Sequence, residues 1–228
     1  MGNFNKKYII AIDGGPGTGK SSVSDIIANN LGIIHIDTGA MFRGLSYYFI
    51  KNNIELNEEN VISNLNNIDV KLEYVSGNTV VLLNGEDITA YIRKEEVSRA
   101  ASFVSKIKEV RNKLLELQRS MANTNSVILD GQDIGTVVFP NADYKFFFTA
   151  SIEKRAKKRT EDLLKKGEDV TYESVKNALE KRDFDDKHRK EAPIKKADDA
   201  IEFDTTPYTK EETAKIITDM ILERMNSK

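Results

Sequence analysis

The 228-residue sequence contains no cysteine, which removes disulfide bridges, thiolate metal sites and a cysteine nucleophile together. Histidine is almost as scarce. His35 falls inside an apolar run and reads as core, while His188 falls in a charged stretch and reads as solvated. Charge of one sign is also missing: 34 Lys plus Arg oppose 36 Asp plus Glu, for a net charge of -2. No global basic field therefore argues for a nucleic-acid or membrane partner. No apolar run reaches membrane-spanning length, and the polar start from Met1 to Lys7 does not read as a signal peptide. The expected location is the cytoplasm. What remains is a 39% hydrophobic chain, enough for a real core, as one α/β domain with insertions or two small ones.

The most informative stretch present is Gly14-Gly15-Pro16-Gly17-Thr18-Gly19-Lys20-Ser21, which fits G-x-x-x-x-G-K-[ST] in full. Its surroundings are those the pattern requires. The apolar run Tyr8–Asp13 before it reads as a buried parallel strand. After it, Val23, Ile26, Ile27 and Leu31 recur at helical spacing, and Gly32 sits where a helix C-cap belongs. The glycines let the backbone turn and aim N–H groups at an anion, and the helix N-terminus adds partial positive charge. Lys20 is expected to reach the β- and γ-phosphates of ATP, and Ser21 or Ser22 to face a magnesium ion. The bland alternative is a glycine-rich strand-to-helix turn.

Five short apolar runs read as parallel strands: Tyr8–Asp13, Ile33–Thr38, Ser126–Asp130, Tyr144–Ala150 and Ala200–Asp204. Helical patterns lie between them, as expected of an α/β fold whose parallel sheet is covered on both faces. Ligands bind such sheets at the carboxyl ends of the strands, where Gly14, Asp37, Asp130 and Ser151 would gather. Two segments interrupt the alternation. The first, from about Asn53 to Ser105, carries Val70–Val75 and Thr79–Leu83 around Ser76-Gly77-Asn78, followed by a second turn at Asn84-Gly85. That is the chemistry of an antiparallel hairpin. The second, from about Ser151 to Ala192, is dense in charge of both signs. Its bland reading is a solvated helical pair. Arg155 and Arg159 are four apart and share a helix face, and Arg182 and Arg189 are seven apart. Arginines on common faces suit bidentate phosphate contacts.

Phosphoryl transfer needs positioning and charge neutralisation rather than a covalent nucleophile. Lys20 supplies one cation, and the charged segment offers more on a lid that would exclude water. Val127-Ile128-Leu129-Asp130-Gly131 is an apolar strand ending in an acid, the form of a magnesium-organising carboxylate. The plainer reading is a strand that turns at Asp-Gly. Asp37 to Arg43 places a hydroxyl and an arginine after the second strand, and alone this could be only a helix start with Thr38 as cap.

Asp37-Thr38-Gly39-Ala40-Met41-Phe42-Arg43, the run from Asp130-Gly131-Gln132-Asp133 to Phe139-Pro140, Lys181-Arg182-Asp183 through Arg189, and Ala192-Pro193 together resemble bacterial cytidylate kinases. With the glycine loop, the resemblance covers nearly the whole chain. It implies a P-loop nucleoside monophosphate kinase, with a core of residues 1–39, 106–150 and 193–228, an acceptor-binding insertion at 40–105 and a lid at 151–192. It further implies magnesium-dependent transfer from ATP to CMP or dCMP. By resemblance, Gly14 to Ser22 hold ATP, Arg43 and Arg189 hold the CMP phosphate, and Ser102, Arg111 and Asp133 read the cytosine edge. Arg182 and Asp186 match ribose and phosphate contacts, with Thr38 and Gln132 in the same pocket, and Arg155 and Arg159 resemble lid residues. Ser21, Ser22 and Asp130 are the expected metal shell. Asp133 accepting from the exocyclic amine is sensible, because that amine distinguishes cytosine from uracil.

The sequence departs from that family at Gln132, where arginine is usual, and at Ser21, where glycine is more frequent. Glutamine keeps amide donors but loses the charge and the guanidinium fork, so weaker CMP binding with retained specificity is expected. Alternatives are another nucleoside monophosphate or small-molecule kinase on the same scaffold, and a nucleotide sensor without turnover. The expected state is a monomer, since no long apolar stripe is left unclaimed. The ratio of CMP to dCMP use is not legible.

Overall fold

In the computed structural model, residues 7–75 and 78–227 are described. They form eight strands and eight α-helices. Strand β1 (Ile9–Gly14) leads through the glycine loop into α1 (Lys20–Leu31), and β2 (Ile34–Asp37) into α2 (Thr38–Lys51). Then follow α3 (Glu58–Asn64), β3 (Val70–Val75), β4 (Asn78–Leu83), β5 (Glu86–Asp87), α4 (Glu95–Val104) and α5 (Lys108–Met121). The chain continues through β6 (Val127–Gly131), β7 (Tyr144–Thr149), α6 (Ile152–Lys165), α7 (Tyr172–His188), β8 (Ile201–Asp204) and α8 (Lys210–Asn226). The five expected parallel strands are all present, within a residue or two of the expected bounds, in a sheet of order β2-β6-β1-β7-β8. β3, β4 and β5 make a separate three-stranded antiparallel sheet. Val70 pairs with Leu83 and Leu72 with Val81, as the hairpin reading expects. Ser76 and Gly77 of its turn lie outside the described residues.

The chain divides into two compact units, Met1–Ile33 with Ile128–Lys228, and Ile34–Val127. In the first, β1 pairs in parallel with β7, and β7 with β8. Apolar residues of β1, β6 and β7 (Ile10, Ile12, Ile128, Phe146 and Phe148) are buried with Val23 and Ile27 of α1 and Ala214, Ile217 and Ile221 of α8. This covered sheet explains why β1 and β6 read as continuous apolar runs rather than alternating ones. α8 starts with a capping box in which Thr209 and Glu212 exchange hydrogen bonds. α6 and α7 form a helical hairpin with a small core of its own, from Ala156, Leu163, Val175 and Leu179. The charged segment is thus a helical pair, as expected, but one with a folded apolar seam.

In the second unit, helix α2 contributes buried Met41, Leu45 and Phe49. Asn84 and Gly85 both have positive φ between β4 and β5, the conformation that favours Asn-Gly in a tight hairpin. Asn84 also accepts from the Asp69 N–H at 2.7 Å and donates to the Asn67 carbonyl at 3.0 Å. Among the described residues no helix is long and apolar enough to cross a membrane.

Candidate active site

The glycine loop is shaped by contacts that only its own residue types permit. Gly14 has φ of 148°, and a Cβ there would lie 2.3 Å from the Phe148 carbonyl oxygen on the neighbouring strand. No side chain fits. Gly19 caps α1 at φ 90°, so the first turn begins from a left-handed residue and its N–H groups follow directly. Lys20 is buried, and its ammonium donates to the Gly15 carbonyl at 2.7 Å. Thr18 Oγ1 donates to that same carbonyl at 2.9 Å. The Thr205 hydroxyl, just past β8, lies 3.1 Å from the Thr18 carbonyl and 3.0 Å from that of Thr149. It ties the loop to two strand ends. Ser21 is half-buried in the first turn of α1 and Ser22 is exposed.

Arg155 packs its stem against the loop: a Cβ on Gly17 would meet Arg155 Cβ at 3.5 Å. Its guanidinium is buried and committed. It forms a two-point pair with Asp183 at 3.1 and 2.6 Å, and donates to the carbonyls of Pro16 at 3.1 Å and Ala150 at 3.1 Å. A phosphate contact by Arg155 would exchange some of these partners. Arg159, one turn on, is half-buried. Lys154 is structural, its ammonium donating to the carbonyls of Thr205, Thr206 and Tyr208.

Asp130 is buried near the end of β6, and beyond the strand Asp133 precedes a π-helical turn, Ile134–Val138. The Asp133 carbonyl accepts from Val137 and Val138 N–H. That turn is held by Asp13, which the sequence reading passed over as a strand end. One Asp13 oxygen accepts from Ile134 N–H at 2.6 Å and the other from Gly135 N–H at 2.7 Å. Burial pushes the Asp13 carboxyl up to about 7, and Asp133 adds to the rise, against the two N–H groups and Lys20. Gln132 Nε2 donates to Asp186 Oδ2 at 2.8 Å. Asp186 in turn sits between Arg182, 3.6 Å away, and Arg189, also 3.6 Å away. Arg189 Nη2 donates to the Ala192 carbonyl at 2.6 Å. The structure therefore brings Gln132, Arg182, Asp186 and Arg189 into one network, and His188 lies exposed nearby in sequence, stacked on Phe184.

In the second unit, the plainer alternative offered for Asp37–Arg43 needs correction. Thr38 is not the cap of α2. Asp37 is, its Oδ1 accepting from Ala40 N–H at 2.8 Å, and Thr38 is the first helical residue, buried. A carboxylate caps better here because it also binds Arg43 Nη2, 3.0 Å from its other oxygen. Burial would raise the Asp37 carboxyl, but Arg43 first, then Arg93 and His35, hold it down at about 2. The Arg111 guanidinium lies 5.6 Å from the centre of the Phe42 ring and donates to the Ser105 carbonyl at 3.1 Å. Ser102, half-buried on α4, contributes its carbonyl to Ser105 Oγ. His35 is buried, as its apolar setting predicts.

A model of the cytidylate kinase family matches residues 10–223. The chain belongs to the cytidylate kinase family. A curated cytidylate kinase of Caldicellulosiruptor saccharolyticus is 46% identical over 216 residues, covering 94% of this chain and 96% of the relative. A cytidylate kinase of Bacillus subtilis is 40% identical and covers 99% of both chains. Among solved structures, an uncharacterized protein from Eubacterium ventriosum aligns with TM-score 0.52 at 15% identity, over 98% of this chain and 100% of that one. The last likeness concerns the fold alone. Family membership agrees with the resemblance carried by Asp37–Arg43 and Asp130–Pro140, and makes the chain a phosphotransferase of P-loop nucleoside monophosphate kinase architecture. Asp13, Arg93, Phe42 and Asp183 are the members of these networks that sequence reasoning missed. Asp13, Phe42 and Asp183 lie inside the motifs named above, but nothing in their spacing shows what they bind.

Proposed function

We propose that this cytidylate kinase transfers the γ-phosphoryl group of ATP to CMP or dCMP, giving ADP and CDP or dCDP. The observation that carries the reading is the phosphate loop itself, built around Gly14, Gly19 and a buried Lys20, in a chain matched by the family over residues 10–223. The loop N–H groups and Lys20 take the triphosphate, with Lys20 leaving the Gly15 carbonyl for phosphate oxygens. Asp130, Ser21 and Ser22 offer only hard oxygen donors, which suits magnesium. Such an ion commonly uses one or two protein oxygens and completes its shell with phosphates and water. Magnesium would supply charge neutralisation on the β- and γ-oxygens.

For the acceptor, Ser102, Arg111 and Asp133 read the cytosine edge, Arg43 and Arg189 hold the phosphate, and Arg182 and Asp186 face the ribose. Residues 40–105 serve as the acceptor-binding segment and 151–192 as the lid, with Arg155 and Arg159 as its arginines. The enzyme is read as a cytoplasmic monomer without a nucleic-acid or membrane partner.

A coupled ADP-release assay with CMP, dCMP, UMP and AMP tests the proposal. CMP- and dCMP-dependent ADP release is expected to exceed that with UMP or AMP by orders of magnitude. Absence of acceptor-dependent release with all four would overturn it.

A further inference from the structure

One peptide group beside Asp133 is hydrogen-bonded at both ends. The Asp133 carbonyl accepts from the N–H groups of Val137 at 2.9 Å and Val138 at 3.2 Å. The N–H on the other side of that peptide, from Ile134, donates to Asp13 Oδ1 at 2.6 Å. A planar peptide held at both its oxygen and its nitrogen resists rotation, so ψ of Asp133 is fixed, at 25°. The next N–H, from Gly135, donates to Asp13 Oδ2 at 2.7 Å. One buried carboxylate thus spends both its oxygens on the two N–H groups that follow Asp133.

Space is reserved for this contact. A Cβ on Gly135 would lie 3.2 Å from Asp13 Oδ2 and 3.2 Å from Lys145 Cδ. Lys145 is buried as well and clamps the far end of the same loop, its ammonium donating to the Pro140 carbonyl and to Asp199 Oδ1 at 2.9 Å. Asp13 itself is rooted in the sheet, paired with Phe147 of β7 and directly followed by Gly14. Its carboxylate therefore joins the strand that feeds the phosphate loop to the turn that follows Asp133.

We infer that Asp13 is a positioning residue for cytosine discrimination, acting through Asp133 rather than on the nucleotide itself. The inference rests on the cytidylate kinase reading above, in which Asp133 accepts from the exocyclic amine. A carboxylate separates an amine from a carbonyl only while it is held at hydrogen-bond distance and direction. Freeing ψ of Asp133 lets that carboxylate swing, and the penalty against uracil falls with it. Asp13→Asn is the matching perturbation: one oxygen remains, and the amide NH2 meets a backbone N–H, donor against donor.

The test measures kcat/KM for CMP and for UMP, with KM for ATP, on full-length wild type, Asp13→Asn, Asp133→Asn and the double variant. Asp13→Asn is expected to lower the CMP-to-UMP ratio roughly tenfold, with KM for ATP within about threefold of wild type. In the double variant the ratio should fall no further than in Asp133→Asn alone, because both changes act on one contact. Gly135→Ala presses a methyl group on the same Asp13 oxygen and is expected to lower the ratio too, which serves where Asp13→Asn does not fold. Three results would overturn the inference. One is a ratio within about twofold of wild type in whichever of these two variants fold. Another is an equal loss for CMP, UMP and ATP, which marks a purely structural carboxylate. The third is additive loss in the double variant. Failure of the premise looks different: a wild type without CMP preference, or an Asp133→Asn variant that keeps it, sinks the reading of Asp133 and the inference with it.

Discussion

Gln132 occupies a position where a charge would meet a carboxylate already shared by two arginines. Its amide donates to Asp186, and Asp186 lies between Arg182 and Arg189, so the network is closed with a neutral donor. Restoring arginine adds a guanidinium that can bind both Asp186 and the acceptor phosphate, and charge-assisted contacts are worth about 1.5–3 kcal/mol. Gln132→Arg is therefore expected to lower the KM for CMP by roughly an order of magnitude at similar kcat, read by steady-state kinetics. An unchanged or raised KM would show that the amide already supplies what the site requires.

At the level of elements, the α6–α7 hairpin combines a dense charged surface with a thin seam of Ala156, Leu163, Val175 and Leu179. With Ile152, Val170 and Tyr172 the seam is a small cluster separate from the sheet core, so the pair is expected to open more readily than that core. Leu163→Ala is expected to cost about 2–3 kcal/mol locally. Hydrogen exchange checks this: amides of α6 and α7 should exchange faster, while those of β1 and β7 keep their protection. Uniform acceleration across the chain would show that the hairpin opens only with the whole unit. Such helices and strands were legible in the sequence because apolar periodicity and Asn-Gly turns are local signals. The pairings that shape the site were less legible. Arg155 with Asp183, Asp13 with the π-helical turn, and Arg93 with Asp37 join residues 28, 121 or 122, and 56 positions apart. Hydrophobic patterning is silent about which distant polar groups meet. The Thr38 cap was misread for a similar reason. Asp and Thr are both good caps, and only the contact of Asp37 with Arg43 decides between them.

For the molecule as a whole, two buried carboxylates pull stability in opposite directions with pH. Asp13 has its pKa raised from 3.8 to about 7. Between those values the folded chain holds a proton that the unfolded chain has lost, so stability falls as pH rises through this range and levels off above it. Asp37 is lowered from 3.8 to about 2. Its contribution is present above about pH 4 and is lost as pH falls toward 2. Urea unfolding from pH 3 to 8, with wild type and Asp13→Asn side by side, separates the two. Wild-type stability is expected to decline relative to the variant between about pH 4 and 7, and a difference independent of pH would count against the Asp13 assignment.

If Lys20 holds the donor phosphates as proposed, its contact with the Gly15 carbonyl carries a kinetic consequence for turnover. A phosphate that departs leaves the ammonium with another oxygen 2.7 Å away, so the cation need not wait for solvent to reorganise around it. Release then becomes a partner exchange, in which the loop's own carbonyl competes with the product for the same amine. On that reading the competition would trim affinity for donor and product alike and favour fast product escape over long residence.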